Sequence, residues 1–203
     1  MSEDVPVSHT TQRYSSLATA YIQLFGNVER AEPEDYHLIT HWVQGLNGPV
    51  LDAGCGPGQW TQVLHGPDHP ATGVDMVPEF LEHATANFPG CSFQQADIAA
   101  LPFPDETFSG ILSWYSIIHT PPRALTEVLK SFARVLEPGG QLLLGFFAGN
   151  RVEAFDHKVA QAWYWSPEEL SFRLSQEGFE VTDTVVRTND STRTHGHLLA
   201  IRR

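Results

Sequence analysis

An apolar run beginning at Val50 passes straight into Asp52-Ala53-Gly54-Cys55-Gly56-Pro57-Gly58, a carboxylate followed by glycine at every second position. Glycine reaches left-handed backbone angles without a Cβ penalty, so this run can turn tightly at a strand end and leave room for a ligand against the backbone. A helix opening directly after the turn aims unpaired N–H groups and the positive end of its dipole at the same point. The chemistry suited to that place is retention of the anionic tail of a nucleotide-type cofactor. Two more aspartates end short apolar runs: Asp75 in Thr72-Gly73-Val74-Asp75-Met76, and Asp97 in Phe93-Gln94-Gln95-Ala96-Asp97-Ile98. A carboxylate at a strand end can accept both hydroxyls of a ribose.

The spacing separates two kinds of cofactor. A dinucleotide fingerprint is G-x-G-x-x-G; here the third glycine comes one residue early, and an aspartate precedes the first glycine by two. The turn resembles motif I of the class I S-adenosylmethionine (SAM)-dependent methyltransferases. Later blocks follow that family's order: the two aspartate-ended runs, then Phe108-Ser109-Gly110-Ile111-Leu112-Ser113-Trp114-Tyr115, then Val135-Leu136-Glu137-Pro138-Gly139-Gly140-Gln141-Leu142-Leu143-Leu144. The sequence is similar above all to the type 11, UbiE-like small-molecule branch. The resemblance implies SAM as cofactor and S-adenosylhomocysteine (SAH) as product. It places Asp52, Ala53, Gly54, Gly56 and Gly58 at the methionine half, Asp75 and Met76 at ribose and adenine, and Asp97 and Ile98 at the adenine rim. Trp114 and Tyr115 fall nearer the methyl group, and Tyr21 falls on an N-terminal helix over the cofactor.

Methyl transfer is an in-line displacement on an already activated sulfonium, so positioning supplies much of the catalysis and no nucleophilic triad is required. A base is needed only for an acceptor that loses a proton. His119, just after the fourth strand, is the candidate, because histidine titrates near neutral pH and this strand end faces the methyl site in similar enzymes; the alternative is a histidine that shapes the pocket or caps the next helix. Substrate contacts are expected between Phe146 and Trp165, at the carboxyl edge of the sheet where ligands of open α/β folds bind. There Arg151 offers a bidentate fork to an anionic acceptor, and Tyr164 belongs to an aromatic wall. Two other readings stay open: a SAM-binding protein without transferase activity, and a nicotinamide-dependent reductase.

Helical spacing of apolar residues predicts helices at 14–25 and 33–46, after a polar and mobile stretch of about a dozen residues. From Val50 onward strands at 50–53, 71–75, 92–95, 108–113 and 141–147 alternate with helices at 58–65, 78–87 and 121–136. A helix at 166–177, opened by Ser166 as a capping serine with Pro167 at the first helical position and Glu169 three residues after the serine, and strands at 179–187 and 195–202 complete the chain. The alternation predicts an α/β fold with a parallel sheet. The family resemblance makes it a Rossmann-like open sheet of seven mostly parallel strands, helices on both faces, with an N-terminal helical cap. The 203 residues fit one domain, divided into an N-terminal helical segment (1–47), a SAM-binding core (48–147) and a substrate loop with C-terminal strands (148–203).

A formal net charge of −12, from 24 acidic against 12 basic residues, would repel a phosphate backbone and argues against nucleic acid. No apolar stretch is long enough for a membrane helix and no secretory signal is visible, so a cytoplasmic protein, monomeric or homodimeric, with a small-molecule partner is expected. Ten histidines include His195 and His197 on one face of a predicted strand, but no third ligand stands at a recognisable spacing, so no metal is expected. Cys55 and Cys91 show neither a metal nor a redox spacing.

Overall fold

The computed structural model describes residues 7–188 and 193–203, with the side chains of residues 7 and 8 left aside. Strands β1 (Val50–Ala53), β2 (Ala71–Asp75), β3 (Ser92–Gln95), β4 (Phe108–Trp114) and β5 (Leu136–Phe147) run parallel. Two more, β8 (Phe179–Thr188) and β9 (Thr194–Arg202), complete a seven-stranded sheet in the order β3-β2-β1-β4-β5-β9-β8, with β9 antiparallel to both its neighbours. This is the Rossmann-like α/β architecture expected. The central strands are apolar on both sides because both faces are covered by helices. Leu51, Ile111, Leu142 and Leu144 face Leu125, Leu129 and Phe132 of α5 (Leu125–Val135) and Leu170 and Leu174 of α6 (Pro167–Gln176). Their neighbours Val50, Leu112 and Leu143 point the other way, onto Ile39, Trp42 and Val43 of α2 (Pro33–Gln44) and Trp60 and Leu64 of α3 (Gln59–Leu64). That alternation follows from the two-residue period of a strand.

The register aligns the carboxyl ends that carry the site. Asp52 lies opposite Gly73 and Leu112, and Ala53 opposite Val74, so Asp52, Asp75 and Trp114 emerge along one edge. Over that edge lies α1 (Val7–Phe25), packed through Ala18 against Val77 and Phe80 at the start of α4 (Pro78–Asn87).

Four elements differ from the sequence-based expectation. The first helix starts at Val7, inside the stretch expected to be mobile; residues 1–6 lie outside the described residues. Helix α5 starts at Leu125 rather than at Pro121. A residue before proline is driven out of helical angles, which applies to both Thr120 and Pro121, and a turn closed by the Ala124 N–H on the Pro121 carbonyl (2.8 Å) comes first. Strand β5 begins five residues early, at Leu136, through a bulge: Phe108 pairs with Leu136 but Gly110 with Gln141. Gly139, at φ +81°, carries the chain through it. Finally, the span read as a substrate loop holds a hairpin, β6 (Glu153–Asp156) and β7 (Gln161–Tyr164), antiparallel to each other. The capping serine is as read: the Glu169 N–H donates to Ser166 Oγ at 3.2 Å. Among the described residues no helix is long and apolar enough to cross a membrane.

Candidate functional site

A cavity of about 850 Å3 opens at the carboxyl edge of the sheet, within the range of small-molecule and cofactor sites. Its floor is the glycine turn. Gly54, Gly56 and Gly58 have φ of +82°, +52° and +89°, the left-handed region that disfavours any side chain. They have different neighbours. A Cβ on Gly54 would lie 2.3 Å from Ser116 Cβ, and one on Gly58 would lie 2.7 Å from Ala84 Cβ, while one on Gly56 would meet nothing within 4 Å. Gly56 therefore faces the cavity, whereas Gly58 lets α3 pack against α4 and β3.

Two buried carboxylates shape the electrostatics of this half. Asp52 accepts a hydrogen bond from Thr61 Oγ1 at 2.7 Å. Burial pushes its carboxyl up to about 7, against the lowering effect of that bond. Asp75 accepts from the backbone N–H groups of Gly56 and Val77, each at 2.9 Å; burial raises its pKa while these donors pull it down. Both groups line the cavity, so a cationic or multiply donating ligand would favour their ionised forms. Asp97 accepts from the Ala99 N–H at 2.9 Å, and with Met76 and Ile98 extends the same wall. Overhead, Tyr14, Leu17, Tyr21 and Leu24 follow one another at helical spacing along α1 and look into the cavity.

The second half of the cavity is lined by rings. Tyr115 holds φ +57°, an uncommon conformation for a residue with a side chain, and shares a 2.7 Å hydrogen bond with His195 Nδ1. Trp114, at the end of β4, stands edge-on to Tyr115 at 5.4 Å. Phe147 closes the end of β5 at 5.2 Å from Tyr115. His119 sits at the end of a short 3-10 turn, Ile117–His119. Its Nδ1 is 2.8 Å from the Gln161 carbonyl and its Nε2 is 2.9 Å from the Tyr14 hydroxyl. Burial lowers its pKa, and the Gln161 contact works weakly the other way. His157, in the hairpin connection, lies 5.2 Å from His119 and is pushed down to about 4, first by burial and then by His119, Arg193 and Lys158.

A family of methyltransferase domains matches residues 50–140. A malonyl-[acyl-carrier protein] O-methyltransferase from Erwinia billingiae is 34% identical over 152 residues, covering 75% of this chain and 57% of that one. Residues 50–140 are thus similar to methyltransferase domains, in line with the class I SAM-dependent resemblance of the sequence motifs. It spans about half the length of the curated relatives it matches. Among solved structures, a 1,6-didemethyltoxoflavin-N1-methyltransferase from Burkholderia thailandensis superposes with TM-score 0.76 at 20% identity, over 98% of this chain and 92% of that one. The [4+2]-cyclase SpnF superposes with TM-score 0.80 at 17% identity, over 98% and 97%. Those two likenesses establish the fold alone.

Of the residues assigned from sequence, the fold brings Tyr21, Asp52, Gly54, Gly56, Asp75, Met76, Asp97, Ile98, Trp114, Tyr115 and His119 to the same cavity. Four others lie elsewhere. Ala53 points the opposite way from Asp52, as strand alternation requires, and is wholly buried in the core beside Leu51 and Val74. Gly58 serves packing, as above. Arg151 is three-quarters exposed and pairs with Glu153 at 3.0 Å; with Tyr164 it lines a separate shallow depression on the hairpin. Tyr164 stacks on Phe155 at 4.2 Å. Conversely, Gln59, Trp60 and Asp35 line the cavity without having been singled out. Gln59 and Trp60 directly follow the glycine turn, so proximity to it was the available signal. Nothing local marks Asp35, which reaches the site through α2 and is held there by Arg187 of β8. Cys55 is buried against Gly73, and burial raises its thiol well above the usual range, so it is not an activated nucleophile.

Proposed function

We propose that the protein transfers the methyl group of SAM to a small molecule, in keeping with the small-molecule branch its sequence resembles. What carries this reading is the continuity of one cavity: the glycine turn and three strand-end aspartates make one half, and a ring-lined chamber with Tyr115 and His119 makes the other. A cofactor laid along Asp52, Asp75 and Asp97 would point its reactive end toward that chamber. Asp52 with Gly54 and Gly56 would hold the methionine end, Asp75 and Met76 the ribose, and Asp97 and Ile98 the adenine, with Tyr21 above. SAM supplies an activated methyl group; the residues of the chamber fix the acceptor in line with it and exclude water, which contributes most of the rate where positioning dominates. The reading takes residues 1–203 as one domain with the three segments given above, in a cytoplasmic protein.

The likeness to a cyclase keeps a second reading in view, because a fold hosts many reactions: SAM bound as a structural element beside other chemistry. A thermal-shift series with SAM, SAH and NADH tests the first step. A ligand at 100 times its dissociation constant adds about 2.7 kcal/mol, or roughly 5 to 10 °C for a domain of this size. A shift with SAM and SAH but not NADH is expected. Formation of SAH from SAM only when an acceptor is added then separates transferase from passive binder.

A further inference from the structure

We propose that Tyr14 and His119 form a proton relay that deprotonates a ring-borne hydroxyl group while that hydroxyl is methylated. The inference rests on the transferase reading and names the acceptor class. It begins with the hydrogen-bond directions. The Gln161 carbonyl, 2.8 Å from His119 Nδ1, can only accept, so Nδ1 carries the imidazole proton. In the neutral ring Nε2 is then an acceptor, and the Tyr14 hydroxyl 2.9 Å away must donate to it. With its proton turned toward His119, the Tyr14 oxygen offers lone pairs to the cavity that both residues line. The group met by an acceptor is therefore a hydrogen-bond acceptor, suited to a substrate that arrives with a proton. His119, the base expected from sequence, acts through Tyr14 and is a positioning residue.

The surroundings keep the pair in this state. Tyr14 is flanked by the rings of Tyr21 and Phe80 at 5.5 and 6.0 Å. The ionisable groups facing the relay are Tyr21 of α1, Asp75 of β2 and His157 of the hairpin connection, with Lys158 and Arg193 acting on His157. Burial holds His119 and His157 neutral and Tyr14 protonated, which leaves an uncharged donor–acceptor chain between Gln161 and the cavity. The walls choose the acceptor's shape: the rings of Tyr115, Phe147 and His157 line the cavity, and an aromatic lining favours a planar ring. A carboxylate acceptor has no proton to lose and would make no use of the relay.

The step balances. As the acceptor oxygen forms its bond to the methyl carbon, the carbon–sulfur bond breaks and its electron pair stays on sulfur, giving SAH. The hydroxyl proton passes to the Tyr14 oxygen while the Tyr14 proton passes to His119 Nε2. The resulting imidazolium keeps its Nδ1–H on the Gln161 carbonyl until Nε2 releases a proton to solvent.

The test compares 4-methoxyphenol, un-ionised at about pH 8, with 4-nitrophenol, largely ionised there, after SAH binding has been checked by calorimetry in each variant. Tyr14→Phe keeps the ring and is expected to lower kcat about 100-fold or more for 4-methoxyphenol but less than about threefold for 4-nitrophenol, with SAH affinity unchanged. His119→Gln presents an amide oxygen to the Tyr14 hydroxyl but cannot take its proton, and is expected to give the same split in kcat with KM held. Nitrogen-15 spectra of the SAH complex should show His119 as the neutral Nδ1–H tautomer. An Nε2–H tautomer, equal losses with both phenols, full rescue by glutamine, or SAH binding without methylation of either phenol would each overturn the relay. Failure of SAH to bind the unaltered protein would instead remove the transferase reading beneath it.

Discussion

The cofactor half of the cavity draws Asp52, Gly54 and Gly56 from a single turn, and its internal hydrogen bonds join residues close in the chain: Thr61 to Asp52 across nine positions, Gly56 to Asp75 across 19. The acceptor half is assembled from distant segments. Tyr14 meets His119 across 105 positions and Tyr115 meets His195 across 80, with further rings from the end of β5 and the hairpin. A local turn constrains its residues by backbone angle, so its sequence is restricted. Contacts at long range are constrained only by packing, and many residue types satisfy packing. The first half is therefore written as a motif and the second is not.

The comparison predicts unequal sensitivity. Gly54→Ala puts a Cβ 2.3 Å from Ser116 Cβ at a φ of +82°. It should cost about 1–2 kcal/mol for the left-handed angle and about 1–3 kcal/mol for overpacking, seen as a lower Tm together with loss of SAH binding. A Gly54→Ala protein as stable as the parent would break the claim that this turn is fixed by backbone geometry.

A sharper probe of the same half is pH. Asp52 has its pKa raised, so it binds a proton below about 7 in the empty site. A cofactor ammonium would favour the ionised carboxylate, and binding must then expel that proton. SAH affinity, measured by calorimetry from about pH 5.5 to 8, should fall by up to tenfold for each unit below about pH 7, the slope of one linked proton. For the protein alone the sign is opposite. The folded state holds the proton more tightly than the unfolded chain, so stability should decline as pH rises from about 4 to 7. A flat SAH profile would take Asp52 out of ligand binding. The smallest effect belongs to Arg151→Ala, on a side chain exposed to solvent and paired with Glu153: Tm, SAH affinity and methyl transfer should stay as they are. Loss of transfer alone would return Arg151 to the acceptor site.

Much of the scaffold was legible from chain pattern. Alternating apolar runs and helical stretches located the parallel strands, and Ser166-Pro167 with Glu169 located α6, because strand ends and caps are local events. The hairpin at 153–164 was not, since four-residue strands give too short a period-two signal to stand out from a loop. The start of α5 was misread because Pro121 and Pro122 look like a helix opening, while each proline restricts the residue before it. Ala53 and Gly58 lie within the motif yet outside the cavity. A motif records what the backbone needs, and not every position in it faces the cavity.

By itself the sequence determined the turn, the carboxyl-edge aspartates and hence the class of fold, since these follow from backbone angles and strand periodicity over a few residues. The tertiary structure alone decided that Tyr14 covers His119, that Gln161 sets the imidazole tautomer, and that Arg151 points to solvent. Those outcomes depend on how α1, the hairpin and the sheet edge pack together, and the direction of a hydrogen bond between such segments has no counterpart in residue order.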